Sequence, residues 1–281
     1  MEQGKYYRHS GAFSIGGLLL ASILGTVGVA IAAVLYAALV LYIPLAGFIT
    51  FILTAGFGVV AGGVSGMALK WGKLRNNGLA TLVGVLFGAE AVYVSWAAWT
   101  TLLLWRSDVE ASGLALAASP GVLWSVASEI NQVGAWSLRG FTPTGGFLWL
   151  LWGVEALLVF GLTALVSMGM TAVPFCERCE RWCEEEENVA RFAASDAERV
   201  KREAESQPLE FLTSLGPPPE QADTFLRADL HSCPGCHQTH ALTLQSVTVT
   251  LNKDERKESA TEVLRHLLVP SSVAEGVRGL A

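Results

Sequence analysis

Charged positions are absent from Gly11 to Leu69, a run of 59 residues. One helix needs only about 20 apolar residues to cross a ~30 Å hydrocarbon layer, so this run holds two helices. Pro44 is the natural break, because proline lacks a backbone donor and disfavours helix at the residue before it. Helices are therefore expected over 13–43 and 45–69. A third apolar stretch covers 79–105, interrupted by Glu90, and a fourth covers 147–173, interrupted by Glu155. These runs are too long for barrel strands, and irregular backbone is not viable against lipid, so four membrane-spanning α-helices are expected. Pro120, followed by Val122, Leu123, Trp124, Val126 and Ile130, suggests a further short helix. It would either lie at a membrane interface or form one amphipathic turn of a solvated loop.

The pattern changes after Val173. Thr224–Leu230 and Ala241–Leu251 alternate apolar and polar positions and read as strands. Residues 184–206 are polar and open with Glu184 to Glu187, acids that favour a helix N-terminus, so a helical insert is expected there. Pro208 and the Gly216–Pro219 stretch end it. A second helix is expected over 254–268, followed by a loose tail.

Charge divides the chain at the same place. Residues 1–173 hold 6 acids and 7 lysines or arginines, whereas 174–281 hold 19 acids and 12 bases, a net of −7. The 52% hydrophobic content and mean hydropathy of +0.43 therefore belong to a nearly neutral first part, and the second part is built for water. Lys5 and Arg8 precede the first span and Lys70, Lys73 and Arg75 follow the second, while the link at Pro44 is uncharged. By the positive-inside rule the N-terminus and the 70–77 loop face the cytoplasm, and four spans return the C-terminus to that side. The loop 106–146 is then outside, with Arg106, Asp108, Glu110, Glu129 and Arg139. Trp96, Trp99, Trp105, Trp149 and Trp152 form an aromatic belt at its edge. Apolar sequence runs too far past the basic N-terminus for a cleaved signal peptide.

All five cysteines follow Val173: Cys176-Glu-Arg-Cys179, Cys183 and Cys233-Pro-Gly-Cys236. Two CxxC pairs have the layout of a structural zinc site, each pair forming a tight knuckle that offers two thiolates. Cys176, Cys179, Cys233 and Cys236 are the expected ligands. Cys183, His237 and His240 are candidate substitutes; His231 is a further, weaker one. Cys233-Pro-Gly-Cys236-His237 also fits the c-type haem attachment pattern, and a CxxC can be a redox dithiol. Haem attachment would need this domain outside, and no βαβ context supports a thioredoxin-like dithiol, so zinc is preferred. The order knuckle, strand, knuckle, strand over 174–252 resembles the zinc ribbons, with long spacing between the pairs. The glycine common after a knuckle's second cysteine is replaced here by Glu180 and His237. So small a domain is expected to need its metal to fold.

Glu90 and Glu155 are costly in a span, and no Lys, Arg or His in any span can neutralise them. At 1.5 Å per residue they lie roughly 16 Å and roughly 12 Å from their helix ends, at similar depth near the midplane. Either they form a proton- or cation-carrying pair, or they are protonated packing contacts to Ser95, Tyr93, Thr163 or a backbone carbonyl; packing is favoured. Gly58, Gly62 and Gly66, with Gly84 and Gly88, form small-residue seams that suit packing within the chain better than a dimerisation motif.

The expected fold is an all-α four-helix transmembrane bundle (1–173) plus a small α+β cytoplasmic zinc-ribbon-like domain (174–281). This layout, with Pro174-Phe-Cys-Glu-Arg-Cys179 leading into the second domain, resembles uncharacterised bacterial four-helix integral membrane proteins. The resemblance implies a bacterial inner-membrane location and brings no established activity. No nucleotide, hydrolase or metalloprotease motif occurs in a suitable context, so no enzyme is expected. A net of −7 argues against nucleic-acid binding. The expected function is a cytoplasmic zinc-stabilised domain that mediates protein–protein interaction from a lipid-bilayer anchor. The alternative is a proton- or cation-linked transporter subunit, acting as a homo-oligomer and using Glu90 and Glu155.

Overall fold

The computed structural model describes residues 5–43, 48–137, 140–219, 222–252 and 255–280. The break expected at Pro44 and the loop charge Arg139 lie outside the described residues. The chain forms two compact units, one from Gly11 to Ala172 and one joining the N-terminal residues up to Ser10 with the chain from Val173 onward.

The first unit holds α1 (Ile15–Tyr42), α2 (Phe48–Trp71), α3 (Asn77–Arg106), α4 (Gly113–Ala117), α5 (Pro120–Val133) and α6 (Gly145–Thr171). Four of these, α1, α2, α3 and α6, are long and apolar enough to cross a membrane. Caps set their starts: Ser14 Oγ accepts from Gly17 N at 2.9 Å, and Asn76 Oδ1 accepts from Leu79 N at 3.0 Å. α1 packs on α2 and α3, and α6 packs on the same two helices, leaving α1 and α6 at opposite corners.

The glycine seams are used within the chain. A Cβ on Gly62 would stand 2.7 Å from Val166 Cβ and 3.1 Å from the Leu162 carbonyl of α6. One on Gly88 would stand 3.0 Å from Phe160 Cα. Close approach also brings hydroxyls to carbonyls: Thr163 Oγ1 donates to Gly58 O at 3.2 Å and Ser167 Oγ to Gly62 O at 3.3 Å. α5 is the short helix suggested by Pro120, and it buries Leu123, Ala127 and Asn131.

The second unit contains a small antiparallel hairpin, β1 (Phe175–Cys176) with β2 (Arg181–Trp182), and a four-stranded antiparallel sheet. The sheet runs in chain order through β3 (Glu184–Ala193), β4 (Thr224–Ser232), β5 (His240–Asn252) and β6 (Glu255–Val269). Helices α7 (Ala197–Ala204), α8 (Pro208–Leu215) and α9 (Ser271–Arg278) complete it. The core joins Leu226, Ala228, Leu230, Leu242, Leu244, Leu264 and Leu267 of the sheet to Val200, Phe211, Leu212, Ala274 and Val277 of the helices.

Four expectations need correction. The helical insert over 184–206 is instead strand β3 followed by the two-turn α7. β3 buries Ala190 and Phe192 against the core while its backbone pairs with β4, so non-local pairing overrides local helix preference. The helix start is capped by Asp196, whose Oδ1 accepts from Glu198 N and Arg199 N, rather than lying at Glu184. The helix expected over 254–268 is strand β6. Val263, Leu264, Leu267 and Leu268 fit a helical stripe as well as a strand, and pairing with β5 decides between them. The tail is not loose: α9 buries Ala274 and Val277 completely, and Arg278 donates to both carboxylate oxygens of Glu186 at 2.8 and 2.5 Å. Finally, residues 5–10 belong to the second unit rather than to the helices. Leu268 N donates to Lys5 O and Tyr7 N to His266 O, both at 2.9 Å, so the segment lines the outer edge of β6.

Candidate metal centre

Two turns bring the cysteines together. The first joins β1 to β2 and carries Cys176 and Cys179; the second joins β4 to β5 and carries Cys233 and Cys236. The antiparallel registers Cys176↔Arg181 and Ser232↔His240 close each turn at its base. Glu180 and His237, the residues after each second cysteine, adopt φ of 48° and 50°. Both thus take the left-handed conformation that glycine would supply, and the knuckle geometry is kept at a conformational cost.

The four sulfurs lie within 4.8 Å of one another, and Cys176 Sγ is 3.7 Å from Cys236 Sγ. A tetrahedron with metal–sulfur bonds of ~2.3 Å has edges of ~3.8 Å, so the spacing fits one ion of zinc type. All five cysteines are free, and 3.7 Å is far beyond a disulfide bond. Electrostatics agree with this reading. The Gln238 backbone N–H holds the Cys236 thiol down to about 6. Cys179 is pushed up to about 12, first by its hydrogen bond with Cys236 and then by burial. Thiols this close do not all ionise without a cation among them, and a metal supplies that charge.

The substitute ligands separate from the set. Cys183 is buried beside Cys176 and Cys233 but is not one of the four grouped sulfurs, and burial pushes its thiol up to about 12. His240 has both ring nitrogens engaged, Nδ1 with Ser232 Oγ and Nε2 with the His237 carbonyl, each at 2.9 Å. His237 faces solvent. His231 packs edge-on against His266 at 4.7 Å and stands 3.6 Å from Glu185.

The supporting shell includes residues that cysteine spacing does not reveal. Thr239 Oγ1 donates to Cys176 Sγ at 3.3 Å. A Cβ on Gly235 would come within 3.2 Å of Cys179 Sγ, so only glycine fits without displacement. The N-terminal segment braces the first knuckle. Phe175 N donates to the Tyr7 hydroxyl at 3.0 Å, Ser10 Oγ donates to Glu177 at 2.7 Å, and His9 packs edge-on against Trp182. No local signal marks those contacts, because their partners are more than 160 residues apart.

The structure does not make a pair of Glu90 and Glu155. Glu90 accepts from Thr26 Oγ1 of α1 at 3.2 Å, rather than from Ser95, Tyr93 or Thr163. The electrostatic neighbour of Glu155 is Tyr36. No protein-family model, curated protein or solved structure matches the chain.

Proposed function

We propose that the chain is an integral membrane protein whose zinc-stabilised domain lies on the cytoplasmic side and mediates protein–protein interaction. The closed sulfur tetrahedron carries this reading. Four protein thiolates leave no open coordination position, so the ion would hold structure rather than take part in a reaction. The bundle supports the membrane assignment: Ile15, Leu35 and Leu157 are 76%, 66% and 69% exposed, an apolar surface that water would not tolerate. Lys70, Lys73 and Arg75 between α2 and α3, with Lys5 and Arg8 before α1, support a cytoplasmic side for both termini. The resemblance to bacterial four-helix membrane proteins adds the inner membrane as its place.

An interaction role is supported by the sheet edges. The outer edge of β6 is lined by residues 5–7, whereas β3 has no strand on its outer side among the described residues. A cleft of ≈ 530 Å³ runs beside β3, lined by Val189, Phe192, Leu212, Pro217 and Leu280 among others. An extended partner segment adding to this edge would find apolar pockets there, and the acids Glu184 to Glu187 would favour a segment bearing Lys or Arg.

Two measurements test the reading. Metal analysis of the purified full-length protein should give one zinc per chain, lost in C176S/C179S; less zinc, or no loss, overturns the metal assignment. A photo-crosslinker at the exposed cleft residue Thr213 should trap one defined protein in native membranes, and C233S should abolish the adduct. An absent adduct, or one that survives C233S, overturns the interaction role.

A further inference from the structure

The interface between α2 and α6 changes character along its length. On α6 the stripe is Glu155, Val159, Thr163, Ser167 and Thr171, each four residues from the last; on α2 it is Thr50, Thr54, Gly58, Gly62 and Gly66. The bonds from Thr163 to Gly58 and from Ser167 to Gly62 both join residues 105 apart, which fixes the register of the two helices. The same offset sets Glu155 level with Thr50. Where the glycines lie, the helices approach closely and the buried neighbours are apolar: Val29, Ala33, Ala61, Leu69 and Ala91. At the Glu155 end glycine gives way to threonine, and the neighbours are hydroxyls.

Those hydroxyls are only partly used. Tyr36 Oη, from the opposite corner of the bundle, pairs with Thr54 Oγ1 at 2.8 Å, and Thr54 Oγ1 donates to Thr50 O at 2.9 Å. Thr54 is 1% exposed, and the Tyr36 ring stacks on Phe57 at 4.3 Å, so the pair is held in place. Thr50 Oγ1 is buried with no partner among the described residues. Tyr36 is the electrostatic neighbour of Glu155 across the bundle. The other titratable groups facing this level are on α3: Glu90, engaged by Thr26, and Tyr93, whose hydroxyl donates to Ala117 O at 2.6 Å; α2 offers none. No cation of the protein is therefore present to balance Glu155. A carboxylate in a low-dielectric bundle with hydroxyl oxygens around it is completed by one small positive charge.

We propose that Glu155, Thr50, Thr54 and Tyr36 form an intramembrane binding site for a single small cation, a proton or a sodium ion. The carboxylate supplies the charge, the hydroxyls supply the remaining oxygens, and the close-packed glycine half closes the site on one side. This is a binding site and not a path through one chain. It rests on the membrane reading of the bundle and is independent of the partner-binding role.

Infrared difference spectra of the full-length protein in phosphatidylcholine vesicles test it. Lowering pH in sodium-free buffer should raise a protonated-carboxyl band that is lost in E155Q, shifted in Y36F and kept in E90Q. Adding sodium chloride at fixed pH, against choline chloride, separates the two ions. A band removed by sodium identifies a shared sodium and proton site; a band insensitive to sodium identifies a proton site. Spectra unchanged by E155Q, with zinc content intact to show that the variant is folded, overturn the proposal without touching the zinc-domain reading. Loss of zinc binding with the Glu155 band retained does the reverse.

Discussion

At the residue scale, the two knuckles show how a local rule is kept by unexpected residues. Glu180 and His237 stand where glycine relieves a left-handed backbone, and both adopt that backbone anyway. A non-glycine residue there costs about 1 kcal/mol, so H237G is expected to leave zinc affinity unchanged or to raise domain stability by up to about that amount. G235A is expected to weaken the site, since its Cβ would press on Cys179 Sγ at 3.2 Å. Chelator competition and thermal melting of the two variants check this. A large loss of zinc affinity in H237G would mean that the imidazole, and not a cysteine, completes the tetrahedron. The ligand cysteines were legible in the sequence because CxxC is a local motif; Tyr7 and Ser10 were not, because they reach the knuckle only through the tertiary fold.

At the element scale, helices and strands differed in legibility. The four long helices were visible because an apolar run of more than 20 residues has few other stable arrangements. β3 and β6 were not, since each carries residues compatible with a helix and takes its form from pairing with β4 and β5. The seams of the bundle give a matched test. G62A places a methyl 2.7 Å from Val166 Cβ and should destabilise the bundle by about 1–3 kcal/mol, whereas G63A, which meets nothing within 4 Å, should fall within about 1 kcal/mol of the parent. Unfolding in mixed micelles measures both. Equal effects would show that Gly62 does not mark a contact between α2 and α6.

At the scale of the whole molecule, each unit has its own core. In the second unit the cysteine cluster is separate from the sheet–helix core, which gathers Leu226, Leu230 and Leu242 with Val200, Phe211 and Val277. Zinc removal should therefore not unfold the whole domain, although a small size suggests full dependence on the metal. Hydrogen exchange after chelation should accelerate at 175–183, 233–239 and the bracing segment 5–10, while β4 from Leu226 to Leu230 stays protected. Loss of protection throughout β4 would show that the metal holds the entire domain.

The amino-acid sequence by itself determined the four apolar helices, the division of charge near Val173 and the four candidate ligands, because each depends on local composition or on a short motif. The tertiary structure decided the strand character of 184–193 and 255–269, the joining of residues 5–10 to the second unit and the separation of Glu90 from Glu155. Those features depend on which distant backbone or side chain satisfies a polar group, and no local pattern in the chain encodes that choice.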